Sequence, residues 1–294
     1  MNISILGVGA IGSLWACYLH NAGHNISLWS RDTAPSISLS FAQQAPIQFR
    51  ANQISDMNNA DLVIVAVKAW QVEQALLPII PHLKKGCCVL FTHNGMGAVD
   101  PLLAQLSEHP VLFATTTHGA LIDNQSKIQH TGQGQTIVGA LNESGTLLSA
   151  QIVPMLDRAL APVSWDDNIQ QALWNKLAIN CCINPLTAIH NCRNGELAQS
   201  ETLALIQALC VEISEVMTAE GLTCDSDALF AKSQQVIQAT SANFSSMHQD
   251  IQHQRRTEID YITGYLLQRA KAQQILTPYN QTLYQQIKQK EAQQ

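Results

Sequence analysis

Charge is scarce in this chain. Only 13% of its 294 residues are Asp, Glu, Lys or Arg, and aromatic residues make up 5%. The charges that exist do not cluster. Net charge is -6, with no run of Lys and Arg of the kind that marks a nucleic-acid surface. No apolar stretch reaches the roughly 18–20 residues that a membrane span needs. The longest apolar runs, Leu62–Val67 and Cys87–Phe91, have the length of buried strands. No low-complexity linker and no internal repeat occurs. The eight cysteines form no C-x-x-C, and two pairs of them, Cys87–Cys88 and Cys181–Cys182, sit inside apolar runs. That placement indicates neither a zinc site nor a disulfide framework, and points to reduced thiols packed in cores. A reducing cytoplasm follows as the expected compartment. The first residues, Asn2–Leu6, have no basic region before them and run straight into glycines, so a signal peptide is not expected.

What is present is apolar bulk: 46% of residues are hydrophobic, enough for two cores of ordinary size. The first half alternates strands and helices. Asn2–Leu6, Asn25–Trp29, Leu62–Val67, Cys88–Thr92 and Val111–Thr116 read as strands, and Ile11–Ala22 and Gln71–Leu83 as helices. Residues 35–54 fit neither pattern cleanly. Ile128–Gly139 reads as antiparallel strands, followed by a helix over Leu147–Leu160 and a strand at Val163–Trp165. Such alternation implies a largely parallel sheet covered by helices. From Ile169 onward helical periodicity takes over. The expected helices are Ile169–Asn184, stopped by Pro185, Glu196–Glu220, ended by Gly221, Ser226–Ala242, Ser246–Ala272, and a polar amphipathic helix after Pro278. The fold class is therefore α/β: a Rossmann-type dinucleotide-binding domain over residues 1–167, then an all-helical domain over 168–294. A cleft between two such domains is the default place for a ligand.

Gly7-Val8-Gly9-Ala10-Ile11-Gly12 is a G-x-G-x-x-G between a strand and a helix. Gly7 would allow the tight turn and Gly9 the approach of a pyrophosphate. Gly12 would allow close helix–strand packing. The helix N-terminus offers free N–H groups to the phosphates. The second strand ends Trp29-Ser30-Arg31 rather than in an acid, which favours NADPH: a guanidinium grips a 2′-phosphate that a carboxylate would repel. Asp32, next in line, is the counter-signal. Lys68 and Asn94 follow two further strands, and the glycines around Asn94 suggest a backbone in close contact with something.

The second half carries polar residues where apolar ones are expected. Lys176, Asn180 and Asn184 stand at i, i+4 and i+8 on a helix that is otherwise apolar on most sides. Buried without partners they would cost several kcal/mol, on the order of the desolvation penalty; a polar ligand would supply partners. A Lys176 reaching water, and an Asn184 capping the helix before Pro185, would be the structural explanation. Glu258 shares an apolar stripe with Met247, Ile251, Ile262 and Leu266, and a buried acid near a lysine suits a tuned proton donor. Ser246, with Gln249 three residues on, reads locally as a helix cap. The ten histidines are read as structural rather than as metal ligands, and no metal is expected.

Several segments together resemble the ketopantoate reductase (2-dehydropantoate 2-reductase) family over most of the chain. They are Gly7–Gly12, Arg31, Val67-Lys68-Ala69-Trp70-Gln71-Val72, His93-Asn94-Gly95-Met96-Gly97, Thr115-Thr116-Thr117-His118, Leu173–Asn194, Ser245-Ser246-Met247 and Thr257–Ile262. The run from Lys176 through Asn184-Pro185-Leu186-Thr187-Ala188 to Asn194-Gly195-Glu196-Leu197 is the most specific. The resemblance implies NADPH-dependent reduction of 2-dehydropantoate to (R)-pantoate, a step toward pantothenate and coenzyme A. It implies Lys176 as general acid, with Asn180, Asn184, Asn194 and Ser246 as substrate anchors. Asn94 would touch cofactor and substrate, and Lys68 and the backbone of Ala120 the dinucleotide. Glu258 would lie beside the nicotinamide ribose and the reacting centre. The expected partner is a small keto acid, with no nucleic acid and no membrane; a homodimer is compatible with the sequence. Two alternatives stay open: a reductase for a related 2-keto acid, and a non-catalytic NADPH sensor.

Overall fold

Leu62, Val63, Ile64 and Val65 are all buried, as a strand covered on both faces of a parallel sheet must be. They form one strand of a computed structural model that describes residues 1–41, 44–123 and 125–293. The chain divides into two compact units. One comprises Met1–His93 and Ala98–Ala172, the other Asn94–Gly97 and Leu173–Gln294.

In the first unit the order is β1 (Asn2–Leu6), α1 (Ala10–Asn21), β2 (Asn25–Trp29), β3 (Ser36–Phe41), β4 (Ile47–Ala51), α2 (Ile54–Asn59), β5 (Leu62–Val65), α3 (Val72–Leu76), β6 (Cys88–Phe91), β7 (Val111–Thr116), β8 (Gly119–Ile122), β9 (Lys127–Gly132), β10 (Thr136–Ala140), α4 (Glu143–Ala159) and β11 (Val163–Trp165). The sheet runs β11-β10-β7-β6-β5-β1-β2-β4-β3-β9-β8. Its centre is parallel, with β1 between β2 and β5, then β6 and β7. Antiparallel pairs extend both sides, β7 with β10 and the hairpins β3–β4 and β8–β9. The segment that fitted neither pattern supplies β3 and β4; Ala42 and Gln43 within it lie outside the described residues. Leu14, Trp15 and Leu19 of α1 pack with Ile3, Ile5, Leu28 and Ile64 of the sheet.

The expected helix Gln71–Leu83 is broken. Only Val72–Leu76 is α-helical, with 3-10 turns at Ala69–Gln71 and Ile80–His82. Pro78 and Pro81 each lack the N–H that would continue the ladder.

The second unit contains α5 (Ile169–His190, from Leu173 on), α6 (Ser200–Ala219), α7 (Ser226–Ala239), α8 (Ser246–Gln252), α9 (Thr263–Ala272) and α10 (Pro278–Ala292), with 3-10 turns at Asn194–Ala198 and Ile259–Tyr261. Two expectations fail here. Helix α5 does not stop at Pro185 but continues to His190. A proline inside a helix costs about 3 kcal/mol. Burial of Cys181, Cys182, Ile183, Leu186 and Ala188 around it outweighs that, at about 1.5–3 kcal/mol for each large apolar side chain. The expected single helix Ser246–Ala272 is two helices. α8 ends at Gln252, Gln254 takes a positive φ of 52°, and Glu258 lies in the turn before α9. The backbone leaves the helix because other partners hold it: Thr257 N–H donates to Glu291 Oε1 at 2.8 Å. Glu258 therefore sits on no helical stripe, although it is buried.

Among the described helices α6 alone is long and apolar enough to cross a membrane. Its Glu212 is buried and accepts from the Tyr279 and Asn280 N–H groups (2.8 and 3.0 Å) and from Asn280 Nδ2 (2.8 Å), fastening the start of α10.

Candidate active site

Gly7 follows β1 at φ 107°, where a Cβ would stand 2.7 Å from Val67 Cγ1 and 2.9 Å from the Ala66 carbonyl. In α1, a Cβ on Gly12 would stand 2.0 Å from the Gly7 carbonyl oxygen. These two glycines are demanded by the turn and by helix–strand packing. Gly9 is different, for nothing lies within 4 Å of where its Cβ would be. No acid sits in the first turn of α1 and no side chain caps it. The N–H groups around Ala10 and Ile11 and the partial positive charge of the helix end thus face the space that Gly9 leaves open, with Val8 half-buried beside it. Free N–H groups and a partial positive charge suit an anionic group such as a pyrophosphate by sign, and the open space at Gly9 leaves its approach unhindered.

Arg31 and Asp32 are both exposed after β2. The loop that carries them is built on Asn52, a residue at φ 56°. Its Oδ1 accepts from Ser30 N–H at 2.9 Å, and its Nδ2 donates to the Asp32 and Ala34 carbonyls. Lys68 is half-buried just beyond β5, the parallel neighbour of β1, so it leaves the sheet at the same edge as Gly7. Its N–H donates to Gln71 Oε1 at 3.2 Å. Ala120 lies on β8 opposite His130, at a register shift.

In the helical unit α5 carries Lys176, Asn180 and Asn184 along one face. Asn184 is buried in mid-helix and caps nothing. Lys176 and Asn180 are half-buried. Burial pulls the Lys176 ammonium down to about 8, against the upward pull of the Glu258 carboxylate. Glu258 is 4% exposed and accepts from Asn94 Nδ2 at 3.3 Å. The segment Asn94–Gly97 belongs to this unit because its backbone lies on Tyr261. Met96 N–H donates to the Tyr261 carbonyl at 2.8 Å, and a Cβ on Gly95 would stand 2.4 Å from that same oxygen. The close neighbour is thus the protein itself: the Tyr261 backbone at Gly95 and the Tyr265 ring at Gly97.

Asn194 is buried; its Nδ2 donates to Thr240 Oγ1 at 2.8 Å, and its Oδ1 has no hydrogen-bond partner. The cap of α8 is Ser245, not Ser246: its Oγ accepts from His248 N–H at 3.0 Å and from Thr187 Oγ1 at 2.7 Å. Ser246 is exposed beside it. Asn94, Lys176 and Glu258 are thereby brought together. Asn180, Asn194 and Ser246 form no hydrogen bond with that cluster among the described residues.

A carbonyl reductase needs a cradle for its dinucleotide and a proton donor, and the proteins this chain is similar to carry a reductase name. Residues 3–143 match the family model described as ketopantoate reductase PanE/ApbA, and residues 168–291 its C-terminal part. The chain belongs to the ketopantoate reductase family. The 2-dehydropantoate 2-reductase of Vibrio cholerae serotype O1 is 52% identical over 98% of this chain and 97% of its own length. That of Yersinia pestis is 39% identical over 99% and 96%. The crystal structure of a PanE/ApbA family ketopantoate reductase from Ralstonia eutropha JMP134 superimposes with a TM-score of 0.87 at 28% identity, covering 100% of this chain and 99% of that one.

For a ketopantoate reductase some contributors left little trace in the sequence. Asn52 could have been suspected only as an Asn in a turn; that it organises the Arg31 loop is a tertiary fact. Thr187 and Ser245 clasp α5 to α8, and a hydroxyl pair 58 residues apart has no local signature. The histidines do packing work. His93 lies edge-on to Phe113 with centroids 4.9 Å apart. His118 Nδ1 accepts from Gly134 N–H at 3.0 Å and meets His130 Nε2 at 3.1 Å, while Tyr18 meets His130 Nδ1 at 2.9 Å. His20 and His24 stand four apart, but α1 ends at Asn21 between them. Among the described residues no three His, Cys, Asp or Glu gather as metal ligands. Burial pushes the Cys87, Cys88 and Cys181 thiols up to about 12, too high for nucleophiles.

Proposed function

We propose that the chain reduces 2-dehydropantoate to (R)-pantoate with NADPH, in pantothenate synthesis. The single observation that carries this reading is the cluster of Lys176, Glu258 and Asn94, a lysine held near pKa 8 beside a buried carboxylate. The dinucleotide, when bound, supplies the hydride. Residues 1–167 would hold most of it: Gly7–Gly12 at the pyrophosphate, Arg31 at the 2′-phosphate, Lys68 and the Ala120 backbone along its length, and Asn94 toward its nicotinamide end, where Glu258 of the helical part would join it. Residues 168–294 would hold the substrate.

Lys176, as an ammonium, stabilises the negative charge growing on the ketone oxygen and gives that oxygen its proton. An amine with a pKa near 8 is mostly charged at neutral pH and still a willing donor. Glu258 keeps it charged. The neutral amides of Asn180, Asn184 and Asn194 and the Ser246 hydroxyl orient the substrate's carboxylate and hydroxyl without neutralising Lys176. The unsatisfied Oδ1 of Asn194 supports that role, because a buried acceptor calls for a donor such as the substrate hydroxyl.

Two other readings compete: a reductase for a different 2-keto acid, and a sensor that binds NADPH without turnover. A sensor has no use for a half-buried lysine beside a carboxylate. The test follows loss of NADPH absorbance with 2-dehydropantoate, pyruvate, 2-oxoisovalerate and an aryl 2-keto acid. Preference for 2-dehydropantoate by kcat/KM is expected. Preference for another acid replaces the substrate, and no turnover with any acid replaces the enzyme by the sensor. Eight free cysteines suit a reducing compartment, and we place the protein in the cytoplasm. A homodimer completes the proposal and is read by light scattering.

A further inference from the structure

We infer that Lys288, near the end of α10, is a positioning residue: through Glu291 and Asp260 it holds the turn that presents Glu258 to Lys176. This rests on the reading of Lys176 as proton donor.

Glu258 lies in neither α8 nor α9; it is the N-cap of the 3-10 turn Ile259–Tyr261, its carbonyl accepting from the Tyr261 and Ile262 N–H groups at 3.0 Å each. It occupies the turn between α8 and α9, so what orients it is what holds its neighbours. Both flanks run to one cation. On the near side, Glu291 Oε1 accepts from the N–H and from Oγ1 of Thr257, each at 2.8 Å. Thr257 Oγ1 in turn accepts from Ile259 N–H at 3.1 Å, which folds the chain around Glu258. On the far side, Asp260 accepts from Tyr284 Oη at 2.9 Å and from Arg256 at 3.1 Å. Lys288 Nζ joins the two carboxylates, donating to Glu291 Oε2 at 2.8 Å and to Asp260 Oδ2 at 3.2 Å. Without that cation Glu291 would lose its ion pair and Asp260 would keep only Arg256 and Tyr284, so the link that joins the two sides of Glu258 would be gone.

The clamp does not titrate where Lys176 does. Burial works against the Lys288 ammonium, yet Glu291 and Asp260 carry it above its ordinary value. Lys288 therefore stays charged while Lys176 gains or loses its proton near 8. The Lys288 side chain is 38% exposed, and ion pairs at such places contribute little to overall stability. A positioning role is thus separable from a stabilising one.

Glu258 raises the proton affinity of Lys176, so a displaced Glu258 must lower it. The Lys176 amine can be followed without any reaction, by competitive acetylation across a pH series with mass-spectrometric readout. In Lys288→Met its titration should move to lower pH by about half to one unit, a fraction of what an adjacent opposite charge does. Glu258→Gln should move it the same way and at least as far, and Lys288→Arg should leave it at the wild-type position. Tyr284→Phe, which removes one bond to Asp260, should give a smaller shift of the same sign and decides the matter if Lys288→Met does not fold. An unmoved Lys176 titration in the folded variants overturns the inference, whatever the melting temperatures do. The same variants assayed for turnover should show the alkaline fall of kcat moving in step. A titration that shifts in the variants while the wild-type protein shows no reductase activity would sink the proposed function and leave the positioning role standing.

Discussion

Asn94 and Glu258 lie 164 residues apart and share a hydrogen bond of 3.3 Å. The bond ties the segment that follows β6 to the turn that precedes α9. Its acceptor is the same carboxylate that raises the proton affinity of Lys176. One acid thus faces a neutral amide and a cation, and its charge and its shape can be tested apart.

Glu258→Gln preserves the shape. Its amide oxygen can still accept from Asn94, while the charge is gone. Lys176 then loses the interaction that opposes its desolvation, and its pKa falls below about 8. A general acid must be protonated, so kcat is flat below that pKa and declines above it. The decline should begin at lower pH in the variant, and the loss should be greater at pH 8.5 than at pH 6.5. A pH profile that drops in parallel with wild type would show that Glu258 does not act through the lysine.

Lys176→Ala removes the cation and the proton together. General acid catalysis is worth about 10²–10⁴-fold, and kcat should fall within that range. NADPH affinity should be nearly kept, because Lys176 belongs to the substrate side of the proposal. Steady-state turnover, fluorescence titration with NADPH and a melting curve on one preparation check all three. Near-normal kcat in a folded variant would remove Lys176 from the chemistry.

Arg31→Ala should separate the two nicotinamide cofactors. Losing charge-assisted bonds to a 2′-phosphate costs about 1.5–3 kcal/mol, or roughly ten- to hundredfold in Kd for NADPH. NADH, which lacks that phosphate, should bind almost as before. Equal losses for both cofactors would mean that the exposed guanidinium reads no phosphate.

The glycines of the first turn should fail in different ways. Gly12→Ala forces a Cβ to within 2.0 Å of the Gly7 carbonyl, so the helix must move off the strand. The expected cost is about 3 kcal/mol or more, visible in thermal unfolding. Gly9→Ala meets nothing within 4 Å, so its melting temperature should stay close to wild type. Its NADPH affinity should drop at least tenfold if the open space is where the pyrophosphate lies. An unchanged affinity would move the cofactor elsewhere.

Local patterns carried much of this protein. Alternation of apolar strands and helices is a property of neighbouring residues, and β1, β2, β5, β6 and β7 could be read from it within a residue or two. The glycine motif and the i, i+4, i+8 row on α5 are likewise matters of spacing, and helical geometry alone puts Lys176, Asn180 and Asn184 on one face. The resemblance that identified the family rests on runs of this kind. Glu258 shows where such reading stops: its spacing from Ile251 and Ile262 imitates a helical stripe that does not exist.

What the tertiary structure decided are the places where a local rule lost to a distant partner. Pro185 should end a helix, but the apolar residues around it gain more from burial than the missing hydrogen bond costs. The chain should stay helical from Ser246 to Ala272, but Thr257 donates to Glu291, a carboxylate 34 positions on. The loop bearing Arg31 is shaped by Asn52, and the turn bearing Glu258 by groups on α10. A side-chain oxygen that accepts a backbone N–H from across the fold leaves no periodicity and no spacing in the sequence. Its effect exists only once both segments are packed, because only then is the N–H cut off from water.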